Sequence, residues 1–490
     1  VVASLSIGTG ELIFSTRGGA IFGYRILFLF LAISVFKWVL LFSAARHIVL
    51  TGVHPLRRWM ELPVGPRGWL PAVMFLFAAV CIPIWVSFHC SVLGDLLAEL
   101  TGSHQAFSGA TVHLWGMLML GIVTFLAVRG GYAALERVQL FVIGLMMGVV
   151  CVALVLLRPD WQAMLLGTLT PQPLTFPEWL LTDSRPMIQS LVSQPVWVEA
   201  TLYVGVIGGA SFDYLAYVAF LREKGWGVAG ADWTPEDLQP AREPTYAADD
   251  LARLRVWVRA PLVDCTLSFL TVFIFSAVFV ASGWLILAPE HQIPGDGSFL
   301  RHQAQFLTRL HPWLYPLYVA GTFLTLFGTL YGTLEIAPTL FRECYHLLRA
   351  DRRRLGAASL RGWSLRWTAG GAALILIASF WVHYLWALDR PPGLTALLIP
   401  ANLFTGVLSC GIICMLNPWM AGGEPQSLRL GASLSILNVL AGGCFLFLGL
   451  KGYWDYGGAL ALGILLGTLL AGFAVAWYLR HGLVGESEYS

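Results

Sequence analysis

The sequence predicts an all-α polytopic membrane protein of about twelve spans, laid out as two five-helix inverted repeats with broken first and sixth helices and two appended helices. Three observations predict it. Of 490 residues, 57% are hydrophobic and only 12% charged, with a mean hydropathy of +0.72, whereas soluble domains carry roughly 25% charge. Apolar stretches long enough for a hydrocarbon core of about 30 Å recur along the chain. Two of them are interrupted by small residues and then carry a carboxylate: Ser6-Ile7-Gly8-Thr9-Gly10-Glu11, and Gly208-Gly209-Ala210-Ser211-Phe212-Asp213. Glycine-interrupted segments at matching positions of two halves mark the place where inverted-repeat membrane folds hold an ion.

Taken in order, the spans are expected at 1–22 (broken at Gly8), 24–50, 68–94, 109–128, 137–157, 190–221 (broken at Gly208), 258–288, 312–342, 364–388, 393–416, 428–450 and 457–479. Residues 1–158 then form the first repeat, 159–416 the second, and 417–490 the appended pair. The stretch 223–256 is the most polar in the chain and is expected to be a solvated cytoplasmic loop. Trp59, Trp69, Trp115, Trp161 and Tyr315 near span ends fit interfacial belts. With both termini inside, 21 Lys and Arg residues fall in inner loops and 8 in outer ones. The positive-inside rule turns that asymmetry into an orientation in the plasma (inner) membrane with cytoplasmic termini. No cleavable signal pattern precedes the first apolar run, and with Gly8 so close to Val1 the first half-helix is expected to be cut short.

A net charge of +2, with its arginines placed between spans, gives no nucleic-acid footprint. The eight cysteines lie within or at the ends of apolar runs without a CxxC pair, and read as small core hydrophobes. Cys410 and Cys414 share a helix face, but no nearby His completes a soft-metal ligand set.

The chemistry concentrates at the two breaks. A carboxylate at bilayer depth costs at least about 2.5 kcal/mol, so it persists only beside a cation, a partner or water. Unwound backbone is tolerated only where its freed groups line a cavity. Glu11 and Asp213 are therefore expected to converge with the carbonyls of Gly8, Thr9 and Ala210 and the Ser211 hydroxyl, an all-oxygen set that suits a hard divalent cation such as magnesium or manganese. The plain alternative is that both acids only cap half-helix N-termini. Asn402, beside Pro400 where the tenth span should bend, is expected to add an amide oxygen. Lys37 stands as a counter-charge for an empty site, His89 as a proton relay, and Asp264 and Glu335 as route-lining acids, each against a structural reading as a satisfied buried group.

With these residues in view, the chain resembles the Nramp (natural resistance-associated macrophage protein) family of divalent metal transporters, as a divergent member. The likeness is carried by the broken first helix followed by Gly23-Tyr24, by Ala44-Ala45-Arg46 and Thr51-Gly52 closing the second span, and by the turn at Gly209-Ala210. It implies an alternating-access, LeuT-like fold with metal held between the first and sixth helices. Where the family reads Asp-Pro-Gly-Asn, this chain has Gly8-Thr9-Gly10-Glu11; where it reads Ala-x-x-Met-Pro-His, this chain has Ala210-Ser211-Phe212-Asp213-Tyr214-Leu215. A thioether has become a carboxylate and the proton-linked histidine is gone, so neither the family's substrate nor its proton coupling carries over. The expectation is transport of a hard divalent cation by a monomer with no cofactor. The competing expectation is a sodium- or proton-linked carrier of a small organic solute on the same fold. A membrane enzyme is disfavoured because no nucleophile and base pairing, P-loop or zincin motif is present.

Overall fold

Helices account for every span that can be followed. The computed structural model describes residues 8, 10–129, 141, 144–145, 147–149, 151–156, 158–230, 248–293, 299–308, 311–348, 356–386 and 394–481. Among these, nine helices are long and apolar enough to cross a membrane, and the protein is an integral membrane protein. Two of the nine each contain two expected spans: Gly10–Thr51, where Gly23 at φ 60° separates the first span from the second, and Ala432–Tyr478, where Gly458 at φ 57° separates the last two. Nine plus two gives eleven, and the fifth span is described only in part, within Met147–Leu156.

The first span begins with a π turn, Gly10–Phe14, and continues as Ser15–Phe22; residues 1–7 and Thr9 lie outside the described residues. The second runs Leu27–Thr51 and stops at Gly52 in the left-handed region. The third, Trp69–Leu100, packs along the fourth, Thr111–Arg129, and the eighth, Tyr315–Leu348. The first and seventh spans interlock through small residues. A Cβ on Gly19 would stand 2.1 Å from the Val280 carbonyl oxygen, and one on Gly283 would stand 2.0 Å from that of Thr16. Close backbone approach of this kind is how helices associate in lipid, where no hydrophobic force drives them together.

Two boundaries differ from the sequence expectation. The sixth span starts at Val196, not 190, because Pro195 takes its N-cap and disfavours helix in the residue before it; Pro186–Val192 is a separate short helix. The expected loop 223–256 ends in a helix, Ala248–Trp257, with Asp249 and Asp250 in its first turn and Arg255 in its last, complementing the helix dipole. Residues 231–247 of that loop lie outside the described residues. In the tenth span Leu394–Asn402, which contains Pro400, passes into a π segment, Leu403–Leu408, before Ser409–Met420. Such π segments cluster at functional sites.

Candidate functional site

The sixth span breaks between Val196–Val206 and Ser211–Glu223. Gly208 and Gly209 sit at φ 80° and 86°, a region that costs an L-residue roughly 1–2 kcal/mol, so the glycine pair is what lets the chain reverse there. Glu11 ties this break to the start of the first span. It is 1% exposed, and its Oε1 accepts from the Gly208 N–H at 2.7 Å while its Oε2 accepts from the Gly8 N–H at 2.9 Å. Asp213 Oδ2 accepts from the Ala210 N–H at 2.6 Å, capping the outgoing half-helix.

Both acids therefore do act as caps. Capping leaves ligand capacity, since an ionised carboxylate offers about four lone-pair sites. Glu11 uses two of its own in these bonds, and Asp213 Oδ1 carries no hydrogen bond among the described residues. Glu11 and Asp213 line one cavity of about 60 Å³, together with Gly8, Gly10, Ala210 and His89. At about 10–15 Å³ per water centre this holds on the order of four waters. The Gly8 and Ala210 carbonyls accept the Leu12 and Tyr214 N–H groups at 3.1 and 3.2 Å, so each keeps one lone pair.

The structure does not bring every expected residue to this cavity. Asn402 is absent from its lining: the side chain donates from Nδ2 to the Leu202 carbonyl at 3.2 Å and borders a separate small pocket with Val198 and Tyr456. The side chain thus meets the half-helix Val196–Val206, not the gap. Ser211 directs its hydroxyl to Ser409 Oγ at 2.5 Å, and Thr9 is outside the described residues. Glu335 pairs with Arg361 at 2.6 Å, which satisfies it as a structural acid, and Asp264 accepts from the Tyr217 hydroxyl at 2.8 Å. Lys37 points at backbone carbonyls of the sixth span. His89 does line the cavity, packed against the rings of Trp85 and Phe88.

Sequence reading missed three hydroxyls in the lining, those of Thr329, Thr333 and Thr405. The first two had a visible signal, because Thr325, Thr329 and Thr333 recur at i+4 on one face of the eighth span. Among the described residues no three His, Cys, Asp or Glu side chains gather into a metal cluster, so the acidic content of the cavity is the carboxylate pair alone.

The start of the first span and the break of the sixth touch closely. A Cβ on Gly10 would stand 2.5 Å from the Val206 carbonyl oxygen, and backbone cannot swing aside as a side chain can. Gly10→Ala is expected to push the first and sixth spans apart at a cost of about 1–3 kcal/mol, read as a lower melting temperature of the purified protein. An unchanged melting temperature would show that the contact is not tight.

Among the described residues, an all-helical membrane scaffold with a discontinuous sixth span, sharing a cavity with the start of the first, defines the class, a LeuT-like fold. Within that class the particular likeness is to the Nramp family: residues 1–210 match the family model, natural resistance-associated macrophage protein-like, as the first-span and Gly209-Ala210 motifs led one to expect. No curated protein matches the chain in sequence. Among solved structures, the Eremococcus coleocola manganese transporter in complex with an aromatic bis-isothiourea substituted compound aligns with a TM-score of 0.63 and 14% identity, over 98% of this chain and 92% of its own. A point mutant of the same transporter aligns over the same shares at 15% identity and TM-score 0.63. MhsT in complex with L-phenylalanine aligns with a TM-score of 0.51 and 14% identity, over 93% and 97%. At such identities these likenesses establish the fold.

Proposed function

We propose that the chain carries a hard divalent cation, magnesium or manganese, across the membrane by alternating access, with the ion held between the broken first and sixth spans. The observation that carries this reading is the presence of two carboxylates, Glu11 and Asp213, on one small cavity at the start of the first span and the break of the sixth. Carboxylate, carbonyl, hydroxyl and water oxygens suit magnesium, calcium and manganese, while softer metals gain from thiolate, thioether or imidazole, and of these the lining holds only the imidazole of His89 beside its oxygen groups. The Nramp match over residues 1–210 and the manganese transporters among the structural relatives agree with a divalent substrate. A cavity of about 60 Å³ suits a partly hydrated ion better than a bulky organic solute.

The same reading takes residues 1–158 and 159–416 as the two inverted repeats, with the chain acting as a monomer in the plasma membrane, both termini cytoplasmic, and no resident cofactor. The 21 to 8 distribution of basic residues supports the orientation. Among the described residues, His89 is then the imidazole that lines the same cavity as Glu11 and Asp213, where a proton relay would sit.

Calorimetric titration of the purified protein with magnesium, manganese, calcium and cadmium tests the assignment. Saturable heat with magnesium and manganese, removed by chelator, is the expected result. Cadmium binding far more tightly than either would replace the hard-ion assignment with a soft one, and heat from small amines alone would favour an organic solute.

A further inference from the structure

Three backbone carbonyls at the break of the sixth span converge on one ammonium. Lys37, wholly buried on the second span, donates from Nζ to the carbonyls of Gly205 at 3.1 Å, Ile207 at 2.6 Å and Gly209 at 2.7 Å. A lysine ammonium has three N–H donors. All three are spent on backbone, and none remains for Glu11 or Asp213. Total burial also removes the snorkelling alternative, in which the charged head reaches water.

The acceptors are the groups that the break leaves without helical partners. Gly205 and Ile207 stand at the C-terminal end of the half-helix Val196–Val206, where the helix dipole concentrates partial negative charge. Gly209 lies beyond the turn, and the positive φ values at Gly208 and Gly209 let its carbonyl meet the same point. The lysine stem passes beneath Gly208, where an added Cβ would stand 3.6 Å from Lys37 Cδ. Tyr214 completes the accounting by donating its hydroxyl to the Gly208 carbonyl at 2.6 Å. Unwound carbonyls at a half-helix C-terminus are the groups with which discontinuous membrane helices coordinate an alkali cation.

We propose that Lys37 is a tethered monovalent cation: its ammonium fills the carbonyl cradle of the broken sixth span that an alkali metal ion would otherwise hold, making the break independent of sodium and potassium. Lys37 is thus a positioning residue, which keeps the turn before Asp213 assembled at every ionic composition. This goes beyond the divalent reading and does not rest on it, because its readout needs no divalent ion.

The test compares the full-length wild type with Lys37→Ala, which empties the cradle, and Lys37→Met, which fills the same space without charge. Each is melted free of divalent ions in sodium, potassium or choline chloride. The wild type is expected to melt at one temperature in all three salts. Lys37→Ala should melt several degrees lower in choline and be raised toward wild type by sodium or potassium, the better-fitting ion acting at lower concentration. Lys37→Met should be lowered equally in all three. A wild type already stabilised by an alkali cation overturns the proposal, and so does Lys37→Ala that is indifferent to the salt. Rescue of Lys37→Met to the same degree reveals a general salt effect and overturns it too. Failure to recover Lys37→Ala even from alkali-rich buffer counts against it, since the refilled cradle should hold the break.

Discussion

Asp213→Asn is expected to lower divalent-cation affinity by about 100- to 1000-fold while the protein still folds. The amide keeps an oxygen that can accept from the Ala210 N–H, so the cap on Ser211–Glu223 survives. What disappears is one negative charge beside the ion. At about 4 Å and an effective dielectric near 20, a unit charge pair is worth roughly 4 kcal/mol, and each ~1.4 kcal/mol is a factor of ten in affinity. Glu11→Gln should differ in kind. Its single amide oxygen can serve only one of the two N–H groups, Gly8 or Gly208, that Glu11 now accepts. The other is left facing a donor, at a cost of about 1–3 kcal/mol. This substitution is therefore expected to lose both affinity and melting temperature, whereas Asp213→Asn loses mainly affinity. Calorimetry with magnesium and manganese, paired with thermal melts, separates the two effects. If Asp213→Asn binds divalent ions as the wild type does, Asp213 is only a cap and the proposed site is wrong.

Glu343→Ala is expected to destabilise the protein by about 3–5 kcal/mol. Glu343 near the end of the eighth span and Arg222 near the end of the sixth form an ion pair whose side chains are 2% and 1% exposed. Removing one partner of a buried pair strands the other charge in a poorly solvating interior. Next to it, Arg342 pairs with Glu223, so each helix offers an arginine and a glutamate to the other in crossed order. That outer pair is partly exposed and contributes no more than about 1 kcal/mol. Replacing both buried partners together, Arg222→Met with Glu343→Leu, should recover most of the loss, because an apolar pair of similar size has no desolvation penalty. Denaturation midpoints of the two single variants and the double variant decide the matter. A Glu343→Ala protein as stable as wild type would mean that water reaches the pair.

The spans that can be followed and the break in the sixth were legible because the bilayer imposes them residue by residue. An apolar run of span length, a glycine cluster and a carboxylate each carry their cost locally, whatever the rest of the chain does. Glu11 and Asp213 stood out for that reason, and they share a cavity. Lys37 was visible only as a charge in an apolar run. Its partners, the carbonyls of Gly205, Ile207 and Gly209, lie some 170 positions away and are backbone, which no residue pattern announces. Asn402 and Glu335 were assigned to the route from their place within spans. Rotation of the helix decides which way each faces, and it turned Asn402 to Leu202 and Glu335 to Arg361. The positions of Thr329 and Thr333 in the cavity follow from the same rotation, and their repeat at i+4 marked a common face without saying what it faces.

What the sequence determined by itself is the solvent of this protein and the point where its sixth span breaks, since hydropathy, glycine conformational freedom and the cost of a buried carboxylate act at each residue alone. What the tertiary structure decided is which groups come together: two acids on one cavity, a lysine on the carbonyls, an arginine and a glutamate closing the helix ends. Those pairings join residues 121 to 202 positions apart, and only the packing of helix against helix brings such distant groups together.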